Sequence, residues 1–199
     1  MISNIEIEAK VLLKKEDYEK LSAYLGVSDA NSYTQVNYYI DSKSRVLKAN
    51  DIALRIREKR GSYEMTLKTP LSEGLLEKNQ DLSAKEALEM INLNHFPSGE
   101  IKEFLEIFDI DTADLVILAK MTTLRSELKN TENDETISLD MNSYGGTVDF
   151  ELEVDETSMA SAEKKVDEIM KANHISYKMN PLSKATRALT LAEKNGFKN

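Results

Sequence analysis

Glu6, Glu8 and Lys10 stand two apart near the start of the chain, in the run Glu6-Ile7-Glu8-Ala9-Lys10. Successive side chains of an extended strand point to opposite faces. Two carboxylates and an ammonium therefore share one side, and Ile5, Ile7, Ala9 and Val11 share the other. Carboxylates are hard oxygen ligands for divalent cations, while Arg and Lys grip phosphate oxygens. The alternation recurs with charges of both signs: Arg55 and Arg57 in residues 54–58, and Glu64, Thr66 and Lys68 in 63–68. Glu77 follows Leu75-Leu76, Lys120 and Arg125 lie in 115–128, and Asp140 ends 136–140. Asp149, Glu151, Glu153 and Asp155 share one face of 148–155.

With residues 36–41 these runs make eight strand candidates. Arg60-Gly61-Ser62 and Tyr144-Gly145-Gly146 read as hairpin turns, and 130–134 as a polar loop, since glycine supplies the positive φ that tight turns need. Helical periodicity occupies 15–25, 83–93, 97–108, 158–172 and 183–194. Ser83 with Glu86 forms a capping box, and Pro97 suits a helix start. Interleaved strands and amphipathic helices predict an α+β fold with an antiparallel sheet.

Composition sets the bounds. The chain has 199 residues, 41% hydrophobic, and no linker, low-complexity tract or internal repeat, which predicts one domain over 1–199. A net charge of −9 disfavours nonspecific binding to nucleic acid or a membrane surface. The absence of cysteine excludes disulfides and thiolate metal sites, and with two histidines a metal site would be oxygen-based. There is no apolar run of membrane-span length and no signal-peptide pattern, so the expected location is cytoplasmic.

Helices need an apolar surface, and the face holding Ile5, Ile7, Leu54, Ile56, Phe150 and Leu152 offers one. The opposite face then carries Glu6, Glu8, Lys10, Arg55, Arg57, Lys68, Arg125, Asp140, Glu151 and Glu153. If the sheet curls shut with helices outside, these residues line a wet tunnel. Eight strands leave a lumen about large enough for side chains or one small ligand. Such a lumen suits a polyanion held together with divalent cations.

In these residues the sequence resembles the CYTH, or triphosphate tunnel metalloenzyme, superfamily. The likeness rests on Glu6-Ile7-Glu8-Ala9-Lys10, followed in order by Tyr38-Tyr39-Ile40-Asp41, Leu54-Arg55-Ile56-Arg57, Thr66-Leu67-Lys68, Arg125, Leu139-Asp140, Glu151-Leu152-Glu153 and Ser183-Lys184. Thr66–Pro70 together with Glu73-Gly74-Leu75-Leu76-Glu77 is similar to a branch found in Gram-positive bacteria. The resemblance implies an eight-stranded antiparallel tunnel that binds a triphosphate and needs Mg²⁺ or Mn²⁺. It implies that Lys10, Arg55, Arg57, Lys68, Arg125 and Lys184 grip phosphate oxygens, and that Glu6, Glu8, Asp140, Glu151 and Glu153 hold metal. Glu6, Glu8, Lys10 and Lys184 would then stand at the reacting centre. The register of 115–128 leaves open whether Lys120 or Arg125 faces inward, and Glu77 faces either the tunnel mouth or solvent. Of Tyr38 and Tyr39, one faces inward and the other packs under a helix. His95 and His174 read as ordinary loop or helix-end residues.

The expected activity is metal-dependent hydrolysis of inorganic triphosphate or a small organic triphosphate. The alternatives are an adenylyl cyclase of the class IV type and a noncatalytic sensor of polyphosphate or nucleoside triphosphate. The expected partner is a small-molecule triphosphate, with no nucleic acid or membrane, and the chain is a monomer or a homodimer.

Overall fold

A computed structural model describes residues 2–130 and 135–197. The chain runs β1 (Ile2–Glu6), β2 (Glu8–Leu13), α1 (Lys15–Tyr24), β3 (Ser32–Asp41), α2 (Val46–Ala49), β4 (Ala53–Lys59), β5 (Ser62–Pro70) and β6 (Leu75–Leu82). It continues through α3 (Ala84–Leu93), α4 (Glu100–Ile107), β7 (Val116–Asn130), β8 (Glu135–Tyr144), β9 (Thr147–Asp155), α5 (Met159–Ala172) and α6 (Lys184–Lys194). The polar loop expected over 130–134 falls, from residue 131, outside the described residues.

Nine strands form one antiparallel sheet in the order β1-β6-β5-β4-β3-β7-β8-β9-β2. Its two edges are consecutive pieces of chain separated by Ile7 alone. Residues 2–6 pair with β6 and residues 8–13 with β9, so the sheet curls round onto itself. The first of the eight expected strands is therefore split, which makes nine. The two edge strands, β1 and β2, are thereby brought end to end. The curl also divides the sheet into an inside and an outside.

The outside holds two apolar cores. One joins Leu54, Ile56, Met65 and Leu67 to Ala87 and Met90 of α3 and to Ile101 and Leu105 of α4. The other joins Ala9, Val11, Leu139, Leu152 and Val154 to Leu21 of α1 and to Ala162, Val166, Ile169 and Met170 of α5. The expected apolar face is thus largely the packed one. Ile5 departs from it at 65% exposed, because β1 pairs only with β6 and no helix covers it. Phe150 is half-buried against Tyr18 of α1, with ring centroids 4.8 Å apart. No helix among the described residues is long and apolar enough to cross a membrane.

Local chemistry sets the helix ends. Ser83 and Glu86 form the expected capping box at α3. The helix expected from Pro97 starts instead at Glu100. Gln80 of β6 fixes that start, donating to the Ser98 carbonyl (2.9 Å) and accepting from the Ile101 amide (3.2 Å). The short helix α2 has no periodicity to betray it and depends on Asp41, whose carboxylate accepts from the Leu47 and Lys48 amides at 2.9 and 3.3 Å. Helix α6 lies across one end of the curled sheet, packing Ala188 and Leu189 against Tyr39, Ala119 and Met121.

The seam at Ile7 demands a glycine. Gly74 has φ +75°, and a Cβ there would lie 2.4 Å from the Glu6 carbonyl oxygen and 2.8 Å from the Ile7 side chain. Gly74→Ala is therefore expected to destabilise the protein by more than the roughly 1–3 kcal/mol of a strained backbone alone. Gly26→Ala, at φ +66° with nothing within 4 Å, carries only the strain. Urea unfolding of both variants checks this, and equal losses would show that close approach at the seam is unimportant.

Candidate functional site

Strand alternation sends Glu6, Glu8, Lys10, Arg55, Arg57, Lys68, Arg125, Glu153 and Asp155 to the inside, where with Lys184 of α6 they line a cavity of about 850 Å³. Asp140 and Glu151 are also inward but fully buried, at 0% exposure, behind Lys184. The register places Arg125 directly opposite Asp140. Lys120 points the other way, toward the ring of Tyr38. Tyr39 is the inward member of its pair, and Tyr38 packs against the core beneath α3 and α4. Glu77 faces the lumen and pairs with Lys68 at 3.0 Å. His95 sits in the loop after α3, and His174 at the end of α5.

The lumen charges fall into three groups. In the first, Asp140, Glu151 and Glu153 crowd together, with one oxygen from each within 4.8 Å of the others. Cations answer them closely. Arg125 makes a two-pronged contact with Asp140 at 2.9 and 2.7 Å and also reaches Glu153. Lys184 touches Asp140 at 2.9 Å, Glu151 at 2.7 Å and Glu153. Arg187 forks onto Glu151 at 2.9 Å through both terminal nitrogens and meets Asp149 at 3.0 Å. Burial works against charge here, but the partners prevail. Lys184 and Arg125 hold Glu153 well below the usual carboxylate range, and the acids hold the Arg125, Lys184 and Arg187 protons more tightly than usual.

The second group is Glu6, Glu8 and Asp155, which again bring carboxylate oxygens within 4.8 Å of one another. Lys10 contacts Glu8 and Lys68 contacts Glu6, but Asp155 has no cation in contact among the described residues. Burial, followed by Glu8, Glu153 and Glu6, pushes the Asp155 pKa up to about 7. Burial and Glu8 raise Glu6 as well, although Lys68 opposes them.

The third group is Arg55 and Arg57. Among the described residues these are the cavity-lining arginines with no carboxylate in ion-pair contact. Arg55 Nε has no acceptor, and Arg57 Nε donates to the neutral amide oxygen of Asn37 at 3.2 Å. Burial, then Arg55, then Arg125, lowers the Arg57 pKa to about 10.

The five carboxylates expected at a metal are thus in two places, Glu6 and Glu8 in one trio and Asp140, Glu151 and Glu153 in the other. Sequence reasoning placed Asp155 on the right face but gave it no role. It missed Arg187 altogether, whose only signal was its position one turn after Lys184 on the same helix.

The CYTH domain family model matches residues 4–189. Over 153 residues the chain is 37% identical to "Putative triphosphatase YjbK" of Bacillus subtilis (strain 168), covering 77% of this chain and 78% of that protein. A crystal structure titled "a putative adenylate cyclase", from Bacillus halodurans, is 36% identical. It superposes with a TM-score of 0.86 over 94% of this chain and 98% of its own. A Hippeastrum protein whose structure is described as revealing a dominant triphosphatase activity is 20% identical, covers 96% of both chains and has a TM-score of 0.75, a likeness of fold. The match across nearly all of the curled sheet and its charged interior means that this chain belongs to the CYTH domain family.

Proposed function

We propose that the protein is a divalent-metal-dependent triphosphatase acting on inorganic triphosphate or a small organic triphosphate. One observation carries the reading: Arg55 and Arg57, with no carboxylate in ion-pair contact among the described residues, line a cavity that also contains the acidic trio Glu6, Glu8 and Asp155. Adjacent guanidinium groups repel each other, and a polyphosphate would remove that cost by supplying the missing negative charge. The relationship to a Bacillus subtilis protein named for triphosphatase activity supports it.

The trio fits a hard cation. Its donors are all carboxylate oxygens, Asp155 has no cation in contact among the described residues, and burial with the neighbouring acids pushes its pKa up to about 7. A bound Mg²⁺ or Mn²⁺ would polarise a phosphoryl oxygen and lower the pKa of a bound water. Arg55 and Arg57 bind phosphate oxygens, with Lys10 and Lys68 supplying further positive charge beside the trio. Arg125 of β7 and Lys184 of α6 complete the grip, sharing themselves with Asp140, Glu151 and Glu153. A second ion among those three acids requires the two cations to turn toward the phosphate. Water attacks the terminal phosphorus, the bond to the bridging oxygen breaks, and orthophosphate and diphosphate leave. The arginines stabilise the charge that shifts onto the leaving diphosphate.

A cyclase would use the same grip on ATP, a reading favoured by the relative titled "a putative adenylate cyclase". Phosphate release from inorganic triphosphate, ATP and thiamine triphosphate, each with Mg²⁺ or Mn²⁺, separates the two. Glu8→Gln and Arg57→Ala are each expected to lower kcat/KM about 100-fold or more. Cyclic AMP formation without triphosphate hydrolysis would establish the cyclase, and binding without turnover a sensor.

Asp155 also makes stability depend on pH. Its pKa is raised on folding, so the stability it contributes is full below its ordinary value, 3.8, and is lost as pH rises through about 7. In EDTA, the Tm of the native protein is expected to fall between pH 5 and pH 8. Asp155→Asn should be the more stable form at pH 8 by several degrees, at about 2–4 °C per kcal/mol for a chain this size. Parallel melting curves for the two proteins across that range would show that Asp155 ionises freely.

A further inference from the structure

The Arg57 side chain is oriented by a group that does not neutralise it. Asn37 of β3 sits directly opposite Arg57 of β4 in the strand register, and its Oδ1 accepts from Arg57 Nε at 3.2 Å. The amide can face the arginine in one way only, because its Nδ2 and the guanidinium are both donors. Its Nδ2 accordingly lies buried with no acceptor, and the residue is 1% exposed. Asn37 does not itself line the cavity and reaches it through Arg57.

Arg125 shows what the other choice of partner does. It too lines the cavity, but Asp140 and Glu153 hold it, and its charge is answered within the protein. An arginine held by a carboxylate is fixed and matched. One left to solvent is neither fixed nor matched. The Asn37 amide gives a third state, in which the guanidinium is held in place with no carboxylate in ion-pair contact, Glu64 opposite it on β5 accepting instead from Thr66 at 3.4 Å.

We propose that Asn37 is a positioning residue for the anion grip: a neutral acceptor that fixes Arg57 toward the cavity while leaving its positive charge for a phosphate oxygen. The proposal rests on the triphosphatase reading above and adds a residue to it. It predicts an unusual order of effects. Asn37→Asp keeps the shape and the hydrogen bond but places a carboxylate beside Arg57, so it should damage binding more than Asn37→Ala, which loses only the orientation. A residue needed only for packing would give the reverse order, since Asp is nearly isosteric with Asn.

The test is calorimetric binding of inorganic triphosphate with saturating Mg²⁺, alongside steady-state kinetics and melting curves. Asn37→Asp is expected to raise Kd and KM about ten-fold or more, in line with a charge-assisted hydrogen bond. Its ligand-free Tm should be unchanged or higher, because a buried cation has gained a counter-ion. Asn37→Ala is expected to raise Kd only a few-fold, and to have no further effect in an Arg57→Ala background. Asn37→Asp binding like the native protein would overturn the proposal. So would Asn37→Ala weakening binding more than Asn37→Asp, or weakening it equally with Arg57 already removed. The last comparison holds even if Asn37→Asp does not fold. Failure of the native protein to bind or hydrolyse triphosphate would instead remove the reading on which the proposal stands.

Discussion

The closure of the sheet at Ile7 governs everything else in this molecule. One stretch of chain pairs with β6 through residues 2–6 and with β9 through residues 8–13, so the same segment supplies both edge strands of a nine-stranded sheet and joins them. An open sheet with these sequences would present its charged face to water, where opposite charges are screened and pairs contribute little. Curled shut, the same face becomes an interior in which unpaired charge is costly and matched charge is held tightly. The seam runs through the site itself: Glu6 ends one half of the split strand and Glu8 begins the other.

Once the charges are inside, their pairing separates structural from available groups. Asp140 and Glu151 are fully buried and surrounded by Lys184, Arg125 and Arg187, which makes them part of the fold's own electrostatic core. Lys68 bridges Glu6 and Glu77, so one lysine ties β5 to both β1 and β6. What remains unbalanced is a cation pair, Arg55 and Arg57, and an acid, Asp155. A fold optimised only for stability would have let the spare acid and the spare arginines meet. Holding them apart keeps both signs of charge open to the cavity, as a metal–polyphosphate ligand requires.

Much of this is legible in the sequence because a period of two is visible without knowing which strands pair. Glu6/Glu8/Lys10, Arg55/Arg57 and Glu151/Glu153 each mark a face by themselves, and their outward neighbours Val11, Ile56 and Leu152 are the packed core. The break at Ile7 is not legible, since isoleucine favours strands and the interruption lies where pairing passes from β6 to β9, both far along the chain. Helix α2 is too short for periodicity and depends on a single carboxylate, Asp41. The partition of the acids into two trios cannot be read from spacing, because Glu153 and Asp155 are neighbours on one face of β9 yet meet cations in different numbers. Arg187 resembles any charged residue on a surface helix until α6 is seen lying over the end of the sheet. Asn37 carries no signal at all, since its importance lies in the charge it lacks.

The position of α6 ties the two ends of the chain to one another. The segment before it crosses β2, where the Asn180 amide donates to the Lys10 carbonyl at 2.7 Å and Met179 bridges Val11. Asn180 also donates to Glu151 at 3.1 Å, and α6 then delivers Lys184 and Arg187 to acids of β8 and β9. The lumen therefore combines residues from the first ten positions, the middle strands and the last helix, and contacts of such long sequence separation form late and slowly. Without α6, Asp140, Glu151 and Glu153 would be three crowded carboxylates with Arg125 in contact and Lys10 nearby, and their repulsion would oppose closure. Docking supplies two cations at once, from side chains one helical turn apart. The helix therefore does more than cap one end of the barrel: it brings the charge that lets the acidic wall exist as a buried surface.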